Sequence, residues 1–200
     1  MRDSTTKDST KHRIIEAGAT LMHQNGYTGT GIQEVLTACG VPKGSFYHYF
    51  KSKEDFALAV VDYHAERMLT LTDDLFANTA LGPLDRLRHF FQLMIDRLAD
   101  CEHPLGRSGC PIGNLVQELA PSTPAMRERL DQVMTGMEIR MAMALRQAHD
   151  LGEIPARLDP DETARFISSS WQGAILRAKA AGDVSPLIRT RDFILKELLS

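Results

Sequence analysis

Cysteine is scarce in this 200-residue chain: Cys39, Cys101 and Cys110 stand at irregular spacing, with no CxxC and no histidine pair at zinc spacing. That excludes a disulfide framework and a metal site, and it predicts reduced thiols. Long apolar runs are missing too, since no stretch approaches the roughly 18 uncharged apolar residues of a membrane-spanning helix. The opening MRDSTTKDSTKH is polar and mixed in charge, unlike a targeting signal. A cytoplasmic protein without membrane contact is expected. Strand-like alternation bounded by turn signals is absent, as are GxSxG, HExxH, the phosphate-cradling GxxxxGKS/T and the Rossmann glycine pattern. The expectation is a helical protein that is not an enzyme and uses no cofactor.

What is present is ordinary for a globular protein, 43% hydrophobic and 24% charged, enough to bury one or two cores. The net charge of −3 speaks against nucleic acid, but its distribution does not. Residues 1–53 hold seven cations against four anions, a surplus of three that leaves the remainder at −6. A basic end on an acidic body suits a protein that offers one face to phosphates, although so small an asymmetry also arises by chance.

Apolar residues recur at intervals of three and four along almost the whole chain, which is the signature of amphipathic helices. Ile14, Ile15, Ala17, Gly18, Leu21 and Met22 define a first helix that Gly26 ends. Thr30 is placed to cap a second helix to Ala38, and a short third segment spans Pro42 to Phe50. Ser52 caps a fourth helix that runs toward Phe76, with Glu54 and Asp55 favourably placed in its first turn. Five further helices are predicted over residues 84–99, 110–120, 125–151, 160–181 and 186–199. The seventh carries the stripe Leu130, Met134, Met137, Met141, Leu145 and Ala148, which means one buried face. The fold class is all-α with about nine helices, a helix-turn-helix domain over 1–55 and a second helical domain over 56–200.

Two short helices joined through Gly40 form a unit whose second helix can enter a major groove. In VPKGSFYHYFKSK, Phe46 and Phe50 recur at helical spacing and anchor an inner face. Lys43, Ser45, Tyr47, His48, Tyr49, Lys51 and Lys53 supply donors at a density suited to phosphate and base contact. Gly44 and Ser45 leave room for close approach. The alternative for His48 and Tyr49 is packing against neighbouring helices.

The stretch GVPKGSFYHYFKSKEDF, with Gly26-Tyr27 before it, closely resembles the recognition signature of the TetR family of repressors. The resemblance implies that Lys43, Gly44, Tyr47 and His48 face bases or adjacent phosphates, and that Thr28, Thr30, Tyr49 and Lys53 face the DNA backbone. It implies a homodimer on double-stranded operator DNA, paired through the last two helices. Ala164, Ser168, Ser169, Gly173, Ala174 and Ala178 are the expected contacts on the eighth helix, and Leu187, Ile194, Leu195, Leu198 and Leu199 on the ninth. Intrachain packing is the alternative for each set.

GCPIGNLVQELA at 109–120 and WQGAILRAK at 171–179 look similar to the ligand domains of the acrylate-responsive and N-ethylmaleimide-responsive subgroup of that family. This implies a small-molecule effector, either an unsaturated acid or a reactive electrophile. Cys110 at a helix start, helped by Arg107, suits a thiolate sensor; as a small apolar side chain it suits gap filling equally well. Cys39 and Cys101 are expected to be structural. Trp171 and Arg177 are candidates for a pocket in which Arg177 pairs with a carboxylate, or else Arg177 bridges the dimer. Two other functions remain open at this level: a helical protein-interaction module without DNA binding, and a thiol-dependent enzyme using Cys110.

Overall fold

A computed structural model describes residues 3–100 and 108–200 of the chain. Cys101 and Arg107, both weighed above, lie outside the described residues. Within them every regular element is helical: α1 Asp3–Gly29, α2 Ile32–Ala38, α3 Phe46–Tyr49 after a 3-10 turn Lys43–Ser45, α4 Lys53–Phe76, α5 Pro83–Ala99, α6 Pro111–Leu119, α7 Pro124–Asp150, α8 Pro160–Ala181 and α9 Ser185–Phe193. A π-helical turn, Ile194–Leu198, continues α9. This is the all-α, nine-helix architecture that the apolar periodicity predicts. No helix among the described residues is long and apolar enough to cross a membrane.

The chain forms two compact units, one of residues up to Arg67 with Pro111–Asp131, the other of Met68–Cys110 with Gln132–Ser200. Helix α6 and the first turns of α7 therefore belong to the same unit as the helix-turn-helix. The first unit buries Ile14, Met22, Leu36, Phe46, Phe56 and Leu119 completely. Each such side chain contributes about 1.5–3 kcal/mol by leaving water.

Local chemistry decides where its helices stop. Gly26, at φ 78° and ψ 168°, breaks α1 because only glycine adopts that conformation without strain. Thr30 does not cap α2. Its hydroxyl turns back to donate to the Gly26 carbonyl at 2.8 Å, and Gly31 takes the cap position with its amide donating to the Glu34 carboxylate at 3.4 Å. Ser52 does cap α4, accepting from the Asp55 amide at 3.1 Å, while the Asp55 carboxylate accepts from the Lys51 amide at 2.8 Å.

In the second unit Leu87, Phe91, Leu145, Ala164, Ile167 and Leu187 are fully buried, and Met137 and Met141 lie in the same core. Arg86 is buried there with its charge answered three times, donating to the carbonyls of Leu81 and Phe76 at 3.0 Å and to Gln147 Oε1 at 2.8 Å. One guanidinium thus ties the end of α4 and the start of α5 to α7. Asp159 accepts from the Glu162 amide at 2.8 Å to start α8, and Gly182 at φ 73° ends it.

The small residues of α8 correct one expectation. Ala164, Ser168, Ala174 and Ala178 are buried inside the subunit, as are Leu187, Ile194 and Leu199. Small side chains let α9 approach α8 closely within one chain, so these residues are not available to a partner. The large apolar residues left exposed on these helices are Phe166, Leu176, Ile188 and Phe193, with Ser169 and Gly173 also exposed on α8.

Candidate nucleic-acid interface

The turn that sets α3 is closed by backbone geometry. At the end of α2 the Val41 amide donates to the Leu36 carbonyl at 2.9 Å and the Gly40 amide to Thr37 at 3.2 Å, with Gly40 at φ 64°. This paired pattern satisfies the carbonyls that a helix end leaves open. Arg13 of α1 adds a side-chain bond to the Cys39 carbonyl. Cys39 itself is half-buried, its thiol directed at the Leu36 carbonyl at 3.6 Å, in keeping with a structural role.

Pro42 stands just outside the first helical turn, extended at φ −60° and ψ 143°, rather than within it. Phe46 and Phe50 then hold the inner face of α3. Phe46 stacks against Phe50 at 5.3 Å and Phe56 at 5.4 Å, and Phe50 lies 4.9 Å from Phe56. With that face fixed, Lys43, Gly44, Tyr47 and His48 are left outward and exposed together, and Ser45 and Tyr49 are half-buried. His48 therefore does not pack into the core, whereas Tyr49 does so in part.

Two features of this face have no explanation within the protein. Tyr47 is 69% exposed, an unusual place for a large aromatic ring. At Gly44 a Cβ would meet nothing within 4 Å, and the residue has no positive φ to justify a glycine.

The flanking residues divide. Lys53 is half-buried, with its ammonium 4.4 Å from the centre of the Tyr27 ring, a cation–π contact that holds the charge at the start of α4. Burial and the nearby Glu54 carboxylate raise the Tyr27 phenol above its ordinary pKa of 10, so the ring stays neutral under the lysine. Thr28 is exposed. Thr30 is only 1% exposed and spends its hydroxyl on Gly26, so it builds the turn and presents no group to a phosphate. Sequence reasoning missed Glu118, whose Oε1 and Oε2 accept from the Tyr27 and Thr28 amides at 3.1 and 2.9 Å. No local pattern links residues 90 positions apart.

Among the effector candidates, Cys110 is half-buried directly before α6, with the Gln172 side-chain amide 3.7 Å from its sulfur. Trp171 is 3% exposed and packed against Phe91 at 4.7 Å. Its indole N–H is fully enclosed and finds no acceptor among the described residues. Arg177 is exposed. Six residues further along the helix place it about 120° around the axis from Trp171, so the two do not share one pocket wall.

Residues 83–194 match the family described as tetracyclin repressor-like, C-terminal domain, and residues 14–60 match bacterial regulatory proteins, tetR family. The transcriptional regulator AcuR of Cereibacter sphaeroides is 39% identical over 87% of this chain and 78% of its own length. The HTH-type transcriptional repressor NemR of Escherichia coli is 30% identical over 91% of this chain and 90% of its own. A crystal structure of regulatory protein TetR from Rhodobacter sphaeroides superposes with a TM-score of 0.85 at 35% identity, covering 94% of this chain and 98% of that one. The relatives are regulators of transcription, and the chain belongs to the TetR family of DNA-binding transcriptional regulators.

Proposed function

We propose that this protein is a repressor that binds a near-palindromic operator as a homodimer and is released by a small molecule. In this reading Lys43, Gly44, Ser45, Tyr47 and His48 meet base edges and adjacent phosphates, while Thr28, Tyr49 and Lys53 meet the backbone. The dimer face consists of Phe166, Ser169, Gly173 and Leu176 of α8 with Ile188 and Phe193 of α9. Residues 1–55 supply the DNA contacts, and residues 56–200 the effector and dimer surfaces. The observation that carries the reading is the outward face of the Lys43–Ser45 turn and α3, where an exposed tyrosine and a glycine with open space around it lie beside a lysine and a histidine. Substituting Lys43 or Tyr47 by Ala should change which duplexes are preferred; unchanged preference with unchanged affinity would remove this face from the interface.

For the effector, the enclosed indole N–H of Trp171, which finds no acceptor among the described residues, favours a non-covalent ligand bearing an acceptor such as a carboxylate. The second reading rests on Cys110 beside Gln172. There the thiolate adds to the β-carbon of an activated alkene: the C–S bond forms, the π bond breaks and the α-carbon takes a proton. Cys110→Ser separates the two, because it abolishes response to an electrophile in the second reading and leaves response to a small acid intact in the first. Arg177, being exposed, fits a contact across the dimer better than either site.

A further inference from the structure

The joint between α1 and α2 is held from far away in the sequence. The helix kinks at Gly26, and the next two amides, of Tyr27 and Thr28, converge on the two oxygens of one carboxylate, Glu118 near the end of α6. The approach is so close that a Cβ on Gly26 would stand 2.5 Å from Glu118 Oε1. Glycine is required there for its φ of 78°, and a side chain in its place would push the Glu118 carboxylate off the two amides. On the other side of the joint Thr30 is locked to the Gly26 carbonyl at 2.8 Å. The first residues of the helix-turn-helix are clamped between these two contacts.

A carboxylate is a costly choice at this place, since it sets a negative charge near a surface meant for phosphates. It is the side chain that offers an acceptor oxygen to each of two adjacent N–H groups, and charge-assisted bonds of this kind are roughly twice as strong as neutral ones. Glutamine offers one acceptor oxygen and an amide NH2 donor that would oppose the second backbone N–H.

We propose that Glu118 is a positioning residue for operator binding: it fixes the α1–α2 joint so that Thr28 and the start of α2 meet the DNA backbone. Helix α6 is then a working part of the DNA-binding head, although it lies outside the helix-turn-helix. The proposal rests on the reading of the α1–α3 region as the DNA interface, and its test keeps the two apart.

The experiment compares the full-length wild type with Glu118→Gln, Glu118→Ala and Thr28→Ala. Operator affinity is measured across a salt series well below the melting temperature, with amide hydrogen exchange of Tyr27 and Thr28 alongside. Glu118→Ala should lose about tenfold in operator affinity, the effect of roughly one good charge-assisted bond. Its salt dependence should become shallower by about one phosphate, and both amides should exchange faster. Glu118→Gln should fall between it and the wild type. Wild-type affinity in Glu118→Ala despite faster exchange, or a drop in melting temperature alone, would overturn the proposal. A rise in affinity would also overturn it, because Glu118 would then act only as a repulsive charge. Thr28→Ala isolates the underlying reading: unchanged binding there removes Thr28 as a DNA contact, whereas the effect of Glu118→Ala would still locate the sensitivity at the joint.

Discussion

Mild acid should loosen the DNA-binding head through His64. This α4 side chain is half-buried; burial first, then the His23 ring 6.3 Å away, hold its pKa down to about 4. Arg67 adds repulsion from its own helix, and a hydrogen bond to the Ala19 backbone on α1 opposes the shift without cancelling it. Tyr63, 5.8 Å from His64, is itself held neutral, its pKa raised chiefly by burial. A histidine whose folded pKa lies below its unfolded value binds its proton more readily once the chain unfolds. Stability is therefore complete above about pH 6.5 and is lost as pH falls toward 4. For a fall from an ordinary value to about 4, the loss between pH 8 and pH 5 is about 2 kcal/mol. The assay is urea unfolding followed by circular dichroism over that range, comparing the wild type with His64→Gln. The variant should lose about 2 kcal/mol less stability across the interval. Parallel curves for the two proteins would refute the argument, because carboxylates titrate alike in both and cancel.

Three other predictions come from side chains whose neighbours are equally defined. Arg86→Leu should destabilise the second unit by about 3 kcal/mol or more, since two carbonyls and the Gln147 amide oxygen lose their donor; calorimetry showing less than about 1 kcal/mol would mean that water replaces the guanidinium freely. Lys53→Ala should weaken specific and non-specific DNA alike and make the salt dependence shallower by about one unit, the mark of a single phosphate contact. A change of sequence preference with an intact slope would reassign the lysine to base reading. Phe193→Glu places a charge on the exposed apolar face of α9 and should yield monomers in analytical ultracentrifugation at micromolar concentration; an undisturbed dimer would move the interface elsewhere.

Much of the architecture was legible because most helices carry local signals: a stripe at three and four, a proline or serine at the start of α4 to α9, and a glycine stop at Gly26, Gly40, Gly152 or Gly182. The inner face of α3 was legible for the same reason, since Phe46 and Phe50 are one helical turn apart. Local reasoning failed where a choice depends on what arrives from elsewhere in the fold. Thr30 and Gly31 are both acceptable caps, and the open Gly26 carbonyl drew the threonine hydroxyl inward. Ala164, Ser168 and Ala174 are small enough for a tight contact of either kind, and α9 of the same subunit fills it. Glu118 reads as an ordinary surface charge until the fold brings it to Gly26. The separation of Trp171 from Arg177 was available from helical geometry alone.

The central claim is that the outward face of α3 reads DNA from a two-fold dimer. Selection of bound duplexes from a random pool tests it most directly. It should return inverted half-sites whose centres lie about one or more helical turns apart, roughly 34–36 Å per turn, with affinity that falls steeply with salt. A pool without an enriched inverted repeat, or retention on DNA that ignores salt, would contradict it.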